Sequence, residues 1–415
     1  MKRNSFVIWV FLLFSSLSFS QNTTEFLIQP TGNYQIGTTK LFLTDSSRKD
    51  PFKRSQFRKV YVKVWYPAQN IDQQKPALYL DDYPLEVIFE TFKAKNLSKE
   101  WIAEIANAST HSYNNAEISL NESSYPVLIF NPGFYFGLPN LYLSMMEDLA
   151  SHGYIVCCVN HPYEQPYINF PDDEEIYIKK KRAQWAYLQL VVADMFQWKA
   201  RDSEEKIEEV TRYYHKMLHR FNKIVSLWTA DSRFVLDYFE KQQLSQSQHE
   251  VIDRMNLELI GVFGQSIGGA VSGEICVQDK RIKAGVNLDC FQFGGAIDQP
   301  IEQAFMLVQS DYNESWNLGN TINFKNTHGD FSFLSFPRSS HFVFSDAAIL
   351  PYQSDEIRKS MIGDVNGREV LDNLLLYMLD FFNVYLKGQN PQLIEKNKDL
   401  PDLFYKMRVG QRTSE

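Results

Sequence analysis

Gly264-Gln265-Ser266-Ile267-Gly268 places a serine midway between two glycines. That spacing is the signature of a nucleophile elbow, a turn so sharp that only small neighbours let the backbone close around an exposed hydroxyl. Residues 259–263 before it read as a buried strand. Gly268-Gly269-Ala270, continued by Val271, Ile275 and Cys276, reads as a helix that starts at once. The plain alternative is a Gly-rich turn without chemistry, and the strand-turn-helix setting argues against it.

A serine hydroxyl becomes a nucleophile when a histidine takes its proton and a carboxylate fixes that histidine's tautomer. The chain order for such an elbow is Ser, acid, His. His341, in Ser339-Ser340-His341-Phe342, follows the strand expected at 331–336 and is the candidate base. His328 precedes that strand, and His152 and His161 precede the serine; they read as a loop residue, a helix cap and a loop contact. Two carboxylates compete for the acid, Asp289 after a strand at 284–288 and Asp311 after one at 305–309. Pattern alone leans to Asp311, because the acid often follows the later strand, and leaves both open. A developing oxyanion needs two backbone N–H donors. The residue after the nucleophile, Ile267, is one candidate. Phe134, in Asn131-Pro132-Gly133-Phe134 after the strand at 127–130, is the other, although Asn-Pro-Gly is also an ordinary turn.

Seven β-type apolar runs are expected at 60–66, 127–130, 154–159, 259–263, 284–288, 305–309 and 331–336. Helical periodicity falls at 141–152, through much of 174–243, at 267–277 and at 370–386. Such alternation makes an α/β fold, a mostly parallel sheet covered on both faces. At 415 residues, 44% hydrophobic and 22% charged, the chain buries a substantial core. A net charge of −8 excludes a nucleic-acid partner held by its phosphates. Met1-Lys2-Arg3, an apolar stretch over 6–14 and a Ser-rich close over 15–20 form a secretory signal, giving an exported, secreted or periplasmic protein; an uncleaved anchor is the competing reading. The four cysteines lie in or beside apolar segments without metal-ligand spacing, so buried free thiols are expected.

Several segments resemble the platelet-activating factor acetylhydrolases, serine-dependent phospholipases A2 of the α/β-hydrolase fold. Gly264-Gln265-Ser266-Ile267-Gly268-Gly269 is similar to the family's Gly-His-Ser-Phe-Gly-Gly, and Leu288-Asp289-Cys290-Phe291 to its Leu-Asp-Ala-Trp acid motif. Ser340-His341-Phe342 corresponds to its His segment, Asn131-Pro132-Gly133-Phe134 to its Ser-His-Gly-Leu oxyanion loop, and 149–154 to the segment that follows. Val64-Trp65-Tyr66-Pro67 and 30–38 look like its entry strands. The resemblance implies Ser266, Asp289 and His341 as the triad, with Asp289 displacing Asp311. Gln265 and Pro132 depart from the family's histidines, and the insertion is longer than in the family.

The expected organisation is therefore a signal at 1–20, an elaboration packed on the sheet at 21–120, a catalytic core at 121–390 with a helical insertion about 172–256, and a tail at 391–415. The expected activity is removal of a short acyl group from a phospholipid or related lipid ester, without metal or organic cofactor. Peripheral membrane contact is expected through Trp185, Leu188, Val191, Val192, Met195, Phe196 and Trp198 beside the basic run 179–182. The alternatives are a secreted carboxylesterase or polyester-type hydrolase, and a non-catalytic binding domain of the same fold.

Overall fold

The computed structural model describes residues 26–93, 97–197, 204–245, 249–310, 320, 327–394 and 404–410. Its strands are β1 (Gln35–Lys49), β2 (Phe57–Gln69), β3 (Pro76–Leu78), β4 (Ser109–Asn114), β5 (Glu117–Ile118), β6 (Tyr125–Asn131), β7 (Ile155–Asn160), β8 (Tyr167–Asn169), β9 (Glu175–Tyr177), β10 (Met255–Gln265), β11 (Ile282–Leu288), β12 (Ala304–Ser310), β13 (Phe331–Phe336) and β14 (Phe404–Arg408). The helices that matter here are α1 (Leu143–Ser151), α2 (Lys180–Gln197), α3 (Glu204–Met217), α4 (His219–Leu244), α5 (Ile267–Gln278) and α6 (Gly367–Lys387).

Six strands run parallel in the order β13-β12-β11-β10-β6-β7. Each is a nearly continuous apolar run because helices cover both faces. Alternation along β6 divides the core: Val127 and Ile129 pack with Val235 and Phe239 of α4, while Leu128 and Phe130 pack with Leu374 and Phe382 of α6. From β6 the chain steps outward to β7, and from β10 it steps the other way to β11. The crevice left at the carboxyl ends of β6 and β10 is where ligands bind in sheets of this kind.

The seven expected strands all lie in this sheet. The segment expected to pack on the sheet instead extends it: β2 pairs antiparallel with β7, and β1 with β2. The physical reason is that β2 is buried on both faces, as an inner strand is. The expected C-terminal tail contributes β14, antiparallel to β13 at the opposite edge. A β8–β9 hairpin leads into the insertion, whose helices follow, and of these α4 packs along α5 through Trp228, Val225 and Val271. All four cysteines are buried free thiols. The signal segment lies outside the described residues, and among those described no helix is long and apolar enough to cross a membrane.

One ion cluster ties the added strands to the core. Arg58 of β2 is fully buried and donates through Nε and Nη2 to Asp231 of α4 at 3.1 and 2.6 Å, and through Nη1 to Asp50 at 3.0 Å. Arg48 of β1 reaches Asp231 at 3.0 Å. Burial alone would push the Asp231 carboxyl up, but the Arg58 guanidinium and His161 hold it well below the usual range. A buried charge that loses its partner costs about 3–5 kcal/mol. Asp231→Asn should therefore lower the unfolding free energy by about that amount in urea melts at pH 7. Because the native pKa is depressed, the difference from wild type should persist at pH 5 and narrow only as the pH falls below about 4.

Candidate active site

Ser266 ends β10 and opens α5 with φ 57° and ψ −131°, a left-handed conformation that costs a non-glycine residue about 1–3 kcal/mol. The turn closes because its flanks carry no side chains. A Cβ on Gly264 would lie 2.2 Å from the Gly268 carbonyl oxygen, and one on Gly268 only 1.8 Å from the Asn131 carbonyl oxygen. The same contact seats the loop after β6 against the elbow. Phe134 and Ile267 line one cavity with Ser266, and neither N–H has a backbone acceptor among the described residues.

β11 ends at Leu288, so Asp289 projects at the carboxyl edge, also with positive φ. Ser310, at the end of β12, donates to its carboxylate from N (2.8 Å) and Oγ (2.7 Å). The oxygen that accepts from Ser310 Oγ, Asp289 Oδ2, also meets His341 Nδ1, at 2.7 Å. His341 begins a short 3-10 turn after β13, anchored by Ser340 N donating to Ile362 O. Ser266, Asp289 and His341 thus converge on one cavity of about 410 Å³. Asp311 lies outside the described residues. His152 caps α1 and faces Thr31, and His328 faces Glu302 on the surface; neither lines this cavity.

Part of the cavity wall comes from the insertion: Tyr187, Leu190 and Val191 of α2 and Phe221 of α4. Beneath it lies a network that sequence reasoning missed. The His161 ring stacks on Trp228 with centroids 4.0 Å apart, and its nitrogens lie 3.0 Å from Asp231 Oδ2 and 3.0 Å from Asn131 Oδ1. Ser232 Oγ donates to Asn131 Oδ1 at 2.9 Å. Trp228 Nε1 donates to Glu164 at 2.6 Å, and Glu164 also pairs with Arg182 of α2. The loop that starts at Asn131 is therefore clamped at its first residue by His161 and Ser232, 30 and 101 positions away, for which no local pattern exists.

Residues 19–393 match the family described as platelet-activating factor acetylhydrolase, isoform II. The chain belongs to this family. A platelet-activating factor acetylhydrolase of Cavia porcellus is 22% identical over 91% of this chain and 82% of its own length. A probable 1-alkyl-2-acetylglycerophosphocholine esterase of Arthroderma benhamiae is 24% identical over 92% and 94% respectively. The fold is that of a ferulic acid esterase from Streptomyces cinnamoneus, with TM-score 0.69 and 23% identity over 91% of this chain and 98% of that one. This acetylhydrolase-family member is accordingly a carboxylic ester hydrolase of the α/β-hydrolase fold.

The Gly268 contact leads to a direct check. Gly268→Ala must separate the elbow from the oxyanion loop, and a displacement near 1 Å costs about 10²-fold in rate. Turnover of an activated acetyl ester should fall at least that far. Gly295→Ala, whose new Cβ would meet nothing closer than 3.5 Å, should leave turnover unchanged.

Proposed function

We propose that Ser266, Asp289 and His341 are nucleophile, acid and base, that the Phe134 and Ile267 N–H groups hold the oxyanion, and that the substrate is a short-acyl phospholipid or related lipid ester. The observation that carries this reading is the 2.7 Å pairing of His341 with an Asp289 already held by Ser310, in one cavity with Ser266. Ser266 attacks the ester carbonyl while His341 takes its proton. His341 then protonates the leaving alcohol and activates the water that frees the acyl group.

Substrate class follows from the family and from the wall. The cavity is at the small end of the range for ligand sites and is lined by Phe136, Tyr187, Leu190, Phe221 and Phe342, which favours a short acyl group over a long one. On its outer side α2 exposes Trp185 (57%), Leu188 and Val192 beside Lys179, Lys180 and Lys181. An exposed aromatic and aliphatic stripe with a basic start suits a lipid surface. Trp198, the other aromatic expected there, lies outside the described residues. The N-terminal pattern supports export to the periplasm or medium.

Ser266→Ala and His341→Ala should each lower turnover of an activated ester by about 10³-fold or more with melting temperature retained, and Asp289→Asn by at least about 10²-fold. Full activity in Ser266→Ala would end the reading. Across phospholipids from acetyl to palmitoyl, hydrolysis should fall steeply with acyl length; equal rates would remove the wall's role. Trp185→Ser with Leu188→Ser should weaken sedimentation with anionic vesicles while sparing hydrolysis of a soluble acetyl ester, and unchanged sedimentation would leave α2 as a wall alone.

A further inference from the structure

Gln265 stands where the resemblance has histidine, and it is 3% exposed between the base and the oxyanion loop. Its Nε2 lies 3.1 Å from His341 Nε2 and donates to the His341 carbonyl oxygen at 3.1 Å. Its Oε1 accepts from the Tyr142 hydroxyl at 3.0 Å, and the Tyr142 oxygen accepts from the Gly133 N–H at 3.2 Å. The chain has a direction that cannot reverse. A backbone N–H begins it and can only donate, so the tyrosine's single proton is free for Gln265 Oε1. A backbone carbonyl ends it and can only accept, so the amide nitrogen must face His341.

An amide N–H beside His341 Nε2 requires a lone pair there. The ring proton then sits on Nδ1, facing Asp289, which is the tautomer a base beside Ser266 needs. Ser266 Oγ itself makes no hydrogen bond among the described residues, so Gln265 is the group that meets that lone pair. We infer that Gln265 is a positioning residue of the hydrolytic site: it holds the His341 lone pair in place and, through Tyr142, couples the base to the oxyanion loop. Nε2 has one lone pair, so the ring must swing from the amide to Ser266 Oγ as it accepts the serine proton; the proton then passes on to the leaving alkoxide, and the ring returns to the amide.

The inference rests on His341 being the base, and the test separates the two. Gln265→Met keeps the length of the side chain and removes the donor; Gln265→His keeps a ring N–H. With a soluble acetyl ester, Gln265→Met should lower kcat about tenfold or more with KM within twofold, and Gln265→His should stay within threefold of wild type. Tyr142→Phe should cost less in the Gln265→Met background than alone. Wild-type kcat in a folded Gln265→Met, a loss confined to KM, or equal costs of Tyr142→Phe in both backgrounds would overturn the inference. Should Gln265→Met not fold, Gln265→His and Tyr142→Phe carry the test: a His variant below a tenth of wild-type kcat, or a Tyr142→Phe variant at full kcat, overturns it. Fluorophosphonate labelling of wild type reports on the triad alone, since an unlabelled Ser266 defeats the proposed function whatever Gln265 does.

Discussion

The carbonyl of Asn131 rests against the α-carbon of Gly268 with no room for a methyl group between them. Much of the site geometry depends on that approach. It brings the end of β6 and the start of α5 close enough for one loop and one turn to face the same substrate atom. The strain in Ser266 is tolerated because close-packed backbone on both sides over-determines its conformation. A hydrolytic centre of this design is a meeting of two chain reversals, and the side chains that give it chemistry are added around their contact.

What holds Asn131 in that position is polar and buried. Its side chain meets His161 and Ser232, His161 meets Asp231, and Asp231 meets Arg58 from β2, two strands along the sheet from β6. This gives residues 35–69 a second role besides extending the sheet. A buried arginine–aspartate pair is weak evidence for stability, since apolar packing of equal volume is often as stable. Its value here lies in direction: it fixes where α4 sits and hence where Asn131 and Trp228 sit.

The candidates Ser266 and His341 and the strands beneath them were legible because their signals are local: a glycine spacing, a histidine just past a strand, a run of apolar residues. The carboxylate that pairs with His341 was not, on residues alone. Asp289 and Asp311 follow adjacent strands in equivalent positions, and only resemblance to a family separated them. Gln265 was visible as a departure from a motif but carried no role, because Tyr142 and His341 meet it from 123 and 76 positions away. The Arg58 cluster left even less trace, as charged residues in sequence read as surface. β1 was missed because its partly exposed side chains dilute the apolar pattern that marks a strand buried on both faces.

The insertion between β7 and β10 is not one unit in its dependence on the rest. Helix α2 supplies cavity wall and an exposed apolar stripe, whereas α4 adds only Phe221 to the wall and carries Trp228, Asp231 and Ser232, on which the loop at Asn131 leans. Lineages descended from this chain thus have one stretch in which change alters what is cleaved and an adjoining one in which change alters whether cleavage happens. The seam falls near Leu218, between α3 and α4. Transplanting a relative's segment across residues 180–217 exchanges selectivity, and carrying the graft past that seam also uproots the scaffold.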